Sequence, residues 1–189
     1  FALAAREEQN VRLHALCIEN TCRQTENGMK ITEALKQRRL FLDGGTGTLL
    51  QAAGLAPGEL PETWNIKYPE RIAAVHRAYF DAGSNVVCTN TFGANCLKFD
   101  NLEEIISAAI ANVRNAIAEF DGDKGRCFVA LDMGPLGKML EPLGDMKFEE
   151  AVSVFKETAV IGEKYDDAVN RWYTYDVDGV RYYNTRINH

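Results

Sequence analysis

From residue 40 onward, short apolar runs alternate along the chain with longer stretches of helical period. The short runs lie at residues 40–42, within NVVCTNTFGA at 85–94, and within CFVALDMGPLG at 127–137. Such runs, bounded by glycine and polar residues, are typical of buried strands, and strands that alternate with helices form parallel sheets. The pattern therefore predicts an α/β fold. Its expected core strand residues are Phe41, Val86, Val87, Val129 and Leu131.

The first clear helix is predicted at residues 69–83, in the stretch PERIAAVHRAYFDAG. Proline is favoured in the first turn of a helix and glycine just past its end, and both are found there. Ile72, Val75 and Tyr79 recur every three or four residues. This spacing predicts that they form the face that packs on the sheet.

Two longer helices are predicted further along. One spans residues 102–120, and the other runs from about residue 147 to residue 165, with Asp145 as its N-cap. Three strands each followed by a helix indicate three βα units.

The two ends of the chain differ in character from residues 29–165, which carry the alternating pattern as one domain. Residues 1–28 are polar and mixed, so we expect a leader, helical or disordered, before a native start near Met29. Residues 166–189 form a divergent tail rich in tyrosine. Within it, Asp178 and Gly179 between two apolar runs predict the two-residue turn of a hairpin.

Composition narrows the class of protein. Of the 189 residues, 46% are hydrophobic, which is enough to bury a core, and the net charge of −6 comes with no long basic run. A nucleic-acid partner is therefore disfavoured, and no apolar stretch approaches the roughly 20 residues that span a bilayer. Five widely spaced cysteines without a CxxC pair predict neither a disulfide framework nor a zinc knuckle. A reducing cytoplasm is the expected location.

All three predicted strands end in polar, glycine-bearing sequence: DGGTGT, TNTFGA and DMGPLG. Ligands of α/β proteins bind at the carboxyl ends of strands, where glycine lets a ligand approach backbone amides closely. A carboxylate there suits an ammonium group, and amide and hydroxyl groups suit a carboxylate. These ends therefore suit a small zwitterion such as an amino acid. The candidate substrate-binding residues are Asp43, Gly44, Gly45, Asn90 and Thr91, with Thr89 beside them.

Structural alternatives stand beside these interpretations. Asp43 can simply cap a turn. His76 in a helix is interpreted as a packed or surface residue, and Cys88 in a strand as a small core residue, rather than as catalysts. The run GGTGTLL lacks the third glycine of a dinucleotide motif and the GK[ST] ending of a phosphate loop. The DVDG run at residues 176–179 has too few acidic ligands for calcium.

Three stretches carry a resemblance to a known family. They are LFLDGGTGTLLQAAGL, LPETWNIKYPERIAAVHRAYFDAGSNVVCTNTFGAN and LDMGPLGKMLEPLGDMKFEEAVSVFKE. In this order and spacing they resemble the homocysteine-binding, or homocysteine S-methyltransferase, domain of cobalamin-dependent methionine synthase, over about residues 40–163. The resemblance implies a (β/α)₈ TIM barrel that binds homocysteine at the carboxyl ends of its strands. It also implies transfer of a methyl group from methylcobalamin to a zinc-bound homocysteine thiolate, giving methionine.

The zinc of that family is held by three cysteines, two of them in a GGCCG motif that this chain lacks. No residue of the chain is therefore expected to be a metal ligand or a catalytic group. A whole barrel needs about 250 residues, so we expect a truncated or diverged half barrel. Its open edges predict a homodimer or a complementary barrel half. The alternative function is a non-catalytic fragment or assembly piece that retains a partial amino acid pocket.

Overall fold

The computed structural model describes residues 31–165, 174–177 and 180–183. The helices and strands of these residues are, in chain order, α1 (Ile31–Gln37), α2 (Thr46–Ala52), α3 (Trp64–Lys67), α4 (Pro69–Asp81), β1 (Val86–Cys88), α5 (Leu102–Glu119), β2 (Phe128–Ala130), α6 (Phe148–Tyr165), β3 (Thr174–Val177) and β4 (Val180–Tyr183). Short 3₁₀ helices lie at Pro61–Thr63 and Lys124–Arg126.

β1 and β2 pair in parallel, with Val87 opposite Val129, as the alternating pattern predicts. On the other side of β1, Leu42 forms a single parallel bridge with Val86. The first predicted strand, at residues 40–42, is therefore wrong in extent. The amide of Asp43 still donates to the Val86 carbonyl at 2.9 Å, so the chain runs along β1 for only a few residues.

The two faces of this small sheet are covered by different helices. Val87 packs against Phe80 of α4 and Val113 of α5. Its neighbour Val86 points the opposite way and packs with Ile31 and Ala34 of α1. The sheet therefore lies between α1 on one face and the longer helices on the other.

The burial of the expected core residues agrees with the prediction only in part. Val86, Val87 and Leu131 are buried, and Val129 is half-buried. Phe41 is 64% exposed, so its predicted burial is wrong. It lies at the margin of the sheet, in a segment that forms a single bridge with β1.

Helix α4 confirms the helix expected after Pro69. It ends at Asp81, and Gly83 follows in the left-handed region with φ +103°. The amide of Gly83 donates to the Phe80 carbonyl at 3.0 Å, and that of Ser84 to the Tyr79 carbonyl at 2.9 Å, which satisfies the last turn. Glycine is required at this position because other residues rarely adopt that backbone conformation.

The buried face of α4 is shifted from the predicted one. Its buried residues are Ile72, His76 and Phe80, spaced four apart, whereas Val75 and Tyr79 are half-buried at the edges of that face. The predicted face was wrong because it included only apolar residues. It left out His76, which lies between them and is buried.

The two long helices follow the prediction closely. Helix α5 ends at Glu119, one residue short of the expected end. Helix α6 begins at Phe148, and the Ala151 amide donates to the Lys147 carbonyl at 3.1 Å. The residue whose carbonyl accepts the first bond of a helix is its N-cap. Lys147 therefore takes that position, and the assignment of Asp145 is wrong.

The tail contains the antiparallel pair β3 and β4, with Val177 opposite Val180. This pairing leaves two residues between the strands, as the expected hairpin requires. Those two residues, and the expected leader before Met29, lie outside the described residues.

The loops that follow β1 and β2 are joined at the carboxyl edge of the sheet. The Thr91 hydroxyl donates to the Asp132 carbonyl at 2.7 Å, and the Gly134 amide donates to the Phe92 carbonyl at 2.9 Å. A Cβ on Gly134 would overlap the Phe92 carbonyl oxygen and ring. The two loops therefore approach too closely for any residue other than glycine at position 134.

Gly134→Ala should therefore destabilise the protein by about 1–3 kcal/mol, the usual cost of overpacking. Gly47→Ala is the matched control: Gly47 lies within α2 with no atom within 4 Å of the added methyl group, so it should stabilise by about 0.5–1 kcal/mol. Urea unfolding of both variants measures the difference. Equal stabilities would contradict the close approach of the two loops.

His76 is the one buried side chain in the described part of the chain whose polar atoms have no hydrogen-bond partner. Both ring nitrogens are affected, and the residue is fully buried. Burial lowers the pKa of His76 to about 4, because the charged ring would lose its hydration. Of the two structural interpretations of His76, as a packed or as a surface residue, this position agrees with the packed one.

A pKa below the ordinary value of 6.5 means that the unfolded chain binds the proton more tightly than the folded one. Stability should therefore fall as the pH drops from about 6.5 towards 4, by up to about 1.4 kcal/mol per pH unit from this group. His76→Leu should remove that part of the pH dependence. Denaturant unfolding at several pH values tests it, and an unchanged slope in the variant would refute the assignment.

Candidate functional site

Asp43 directly follows residues 40–42, the segment that runs along β1. Both its amide and its side chain bond to β1. Its amide donates to the Val86 carbonyl, and its Oδ2 accepts the Cys88 amide at 2.9 Å. Cys88 is the next residue of β1 whose amide points towards this segment. The Asp43 carboxylate thus replaces the backbone carbonyl that a longer strand would have offered.

Two opposing effects act on the charge of Asp43. Partial burial raises its pKa above the ordinary value of 3.8, and the hydrogen bonds from Cys88 offset part of that rise. A carboxylate has about four lone-pair sites, so the donors from Cys88 and the Asp43 amide leave capacity for a further donor. A cationic ligand group would replace lost hydration and favour the ionised form.

Gly44 and Gly45 follow directly and are exposed. A Cβ on Gly44 would lie 3.2 Å from the Tyr79 hydroxyl oxygen, so this part of the backbone passes close under that side chain. Gly45 is the N-cap of α2, with φ −64° and ψ 100°. Backbone groups beside Asp43 are therefore within reach of a small ligand.

Asn90 and Thr91 lie in the loop after β1, and both are buried. The Asn90 side-chain amide donates to the Pro61 carbonyl at 2.8 Å and to Asn65 Oδ1 at 3.1 Å. Besides its bond to Asp132, the Thr91 hydroxyl meets the Thr89 hydroxyl at 2.7 Å. The structure brings Asn90 and Thr91 to the same edge as Asp43, with their donors engaged within the protein.

Sequence reasoning missed several polar residues that surround this loop: Glu62, Asn65, Asn112 and Asp132. Asn112 offered a signal, because it falls on the same apolar face of α5 as Ala109 and Ala116. A polar residue on such a face predicts a buried hydrogen bond. Its side chain indeed donates to the Asn65 carbonyl at 3.0 Å.

The thiols of Cys88, Cys96 and Cys127, which are those the structure describes, do not form a metal site with their described neighbours. Within residues 31–165 and the two short strands, no group of three or more histidine, cysteine or acidic side chains is arranged to hold a metal ion. The Glu157 carboxylate, with burial, raises the pKa of the Cys96 thiol, which opposes the thiolate form that zinc requires. The donor chemistry of the described residues therefore does not fit the zinc site that the family resemblance implies.

None of the helices in the described part of the chain combines the length and apolar character needed to cross a bilayer.

Comparison with known proteins identifies the family to which the chain belongs. The sequence profile of the homocysteine S-methyltransferase family matches residues 40–171. Methionine synthase of Mycobacterium tuberculosis is 30% identical over 142 residues, and that of Mycobacterium leprae is 29% identical over 142 residues. Each alignment covers 69% of this chain, which spans only 12% of the length of either relative.

The fold is also similar to a solved structure. The apo form of the homocysteine methyltransferase MmuM from Escherichia coli superposes with a TM-score of 0.51 and 21% identity. The superposition covers 71% of this chain and 48% of MmuM, and it supports the α/β fold alone. With the profile matching most of its length, the chain belongs to the homocysteine S-methyltransferase family.

Proposed function

We propose that this chain binds homocysteine by its amino acid end at the carboxyl edge of the parallel sheet. The observation that carries the proposal is the position of Asp43, a half-buried carboxylate at a strand end with acceptor capacity to spare. Its charge would hold the ammonium group. The thiol would then extend away from the strand end.

The backbone of Gly44 and Gly45 is the first candidate for the substrate carboxylate, because both residues are exposed beside Asp43. Asn90 and Thr91 belong to the same proposed site. For either side chain to donate to a ligand, however, it must exchange a bond that it makes within the protein. We therefore assign most of the selectivity for amino acids to Asp43.

Family membership extends the proposal to methylation of homocysteine to methionine, with methylcobalamin as the donor. In that chemistry a zinc ion would stabilise the homocysteine thiolate. Because the described donor groups do not fit zinc, no step of thiolate activation is assigned to them. A second candidate function follows from the same observation: amino acid binding without catalysis by this chain.

Two further parts of the proposal concern the setting of the chain. A (β/α)₈ barrel, completed by further βα units or by a second copy, would cover the sheet margin where Phe41 is exposed. A cytoplasmic location is proposed because thiol chemistry needs a reducing compartment.

Asp43→Asn should weaken homocysteine binding by roughly tenfold or more, since a charge-assisted hydrogen bond contributes about 1.5–3 kcal/mol. Asparagine keeps an oxygen for the Cys88 amide, so the strand end should survive. Titration calorimetry in reducing buffer measures the affinity. Asp121→Asn, at an exposed position, is the control and should bind as the wild type does.

The same site predicts a pH dependence. Ammonium binding favours ionised Asp43, so affinity should fall as the pH is lowered towards the raised pKa of this carboxyl. Asp43→Asn should lack that dependence, because its side chain does not ionise. Equal affinities of the variant and the wild type would show that Asp43 serves only the strand end.

The purified chain should methylate homocysteine negligibly when supplied with methylcobalamin, with or without added zinc, because the described residues offer no three-donor metal site. Activity and metal analysis after gel filtration test this directly. Zinc bound near one equivalent, and lost to a chelator together with activity, would contradict the expectation.

A further inference from the structure

The segment between α2 and α4 contains a buried carboxylate that the proposed reaction does not use. Glu62 is only 4% exposed, and its Oε1 accepts the Gly93 amide at 2.5 Å. Gly93 lies in the loop after β1, two residues beyond Thr91. A charged acceptor makes one of the stronger hydrogen bonds available to a backbone amide.

The fit around Gly93 is close. The position that a Cβ would take on this residue is 2.6 Å from Glu62 Oε1 and 3.4 Å from Lys98 Nζ. The carboxylate therefore occupies the space above Gly93, where the Gly93 amide is its hydrogen-bond partner. Burial of a carboxylate is costly unless such partners are present.

The segment between α2 and α4 also forms hydrogen bonds with Asn90, which lies in the loop after β1, three residues before Gly93. The Pro61 carbonyl and Asn65 Oδ1 both accept the Asn90 side-chain amide, and the Asn65 side chain donates to the Asn90 carbonyl at 2.8 Å. Asn65 is anchored in turn by Asn112 of α5. Residues 61–65 therefore contact the loop at both Asn90 and Gly93, and Thr91 and Phe92 lie between these two contacts.

We propose that Glu62 is a positioning residue for the homocysteine site. It contacts no ligand itself; by fixing the Gly93 amide it holds the loop that carries Asn90 and Thr91, so that the strand end is preorganised for the substrate. This inference rests on the proposed function for its ligand, but the contact between Glu62 and Gly93 can be tested without any ligand. Preorganisation raises affinity by reducing the ordering that binding would otherwise require.

The test compares Glu62→Ala, Glu62→Gln, Gly93→Ala and the double variant Glu62→Ala/Gly93→Ala. Glu59→Ala is the matched control, because Glu59 lies in the same segment but bonds to Trp64 and Lys67 instead of the loop. Hydrogen exchange of the Gly93 amide is measured without ligand. Homocysteine affinity is measured by calorimetry, and stability by urea unfolding.

Glu62→Ala should speed exchange of the Gly93 amide and weaken homocysteine binding, each by about tenfold or more. Glu62→Gln keeps an acceptor oxygen and should recover most of both. Gly93→Ala should weaken homocysteine binding when it is introduced into the wild type. It should weaken binding little further in the Glu62→Ala background, because the added methyl group overlaps with the Glu62 carboxylate, which that variant lacks. Glu59→Ala should leave both the affinity and the Gly93 exchange unchanged.

Unchanged homocysteine affinity in Glu62→Ala, whatever the change in its stability, would overturn the positioning role. Unchanged exchange at Gly93 would overturn the contact on which that role depends. If the wild type binds no homocysteine, the proposed function fails, and the exchange measurement alone then decides whether Glu62 holds the loop.

Discussion

Backbone amides lose their ladder partners where parallel strands end, and in this chain side-chain oxygens replace those partners. Asp43 accepts the Cys88 amide, Thr89 accepts the Asp132 amide, and Glu62 accepts the Gly93 amide. A buried amide without an acceptor costs about 1–3 kcal/mol. The polar residues at the carboxyl edge are therefore needed by the fold before any ligand arrives.

This requirement limits what the same groups can offer to a substrate. A hydroxyl group has one proton, and that of Thr91 is donated to the Asp132 carbonyl. A carboxylate can accept several hydrogen bonds, so Asp43 can serve the strand end and still receive an ammonium group. In the proposed site, the charge that would select the ligand thus comes from a residue that the sheet already positions. Partial burial, which raises the pKa of Asp43, also strengthens its attraction for a cation by excluding water.

The long helices could be predicted well from the sequence because the spacing of apolar residues and the residues at helix ends are local features. Helices α4, α5 and α6 all lie within a residue or two of their expected bounds. The failures come from packing. The exposure of Phe41 depends on which neighbours reach the sheet margin, and the shift of the α4 face depends on the burial of His76. The contact between Glu62 and Gly93 joins residues 31 positions apart, and no local spacing encodes it.

Helix α6 carries two apolar stripes, and this bears on what surrounds the described residues. One stripe, Ala151 and Val154, is buried in the core. The other includes Phe148 and Phe155, which are 51% and 38% exposed, and Val152 lies half-buried between them. A helix that covers only one neighbour needs one such stripe. A second stripe is what a helix needs when it packs between neighbouring βα units, as the outer helices of a barrel do. Together with exposed Phe41 at the other margin of the sheet, this stripe supports the proposal that further βα units complete the fold around the proposed homocysteine site.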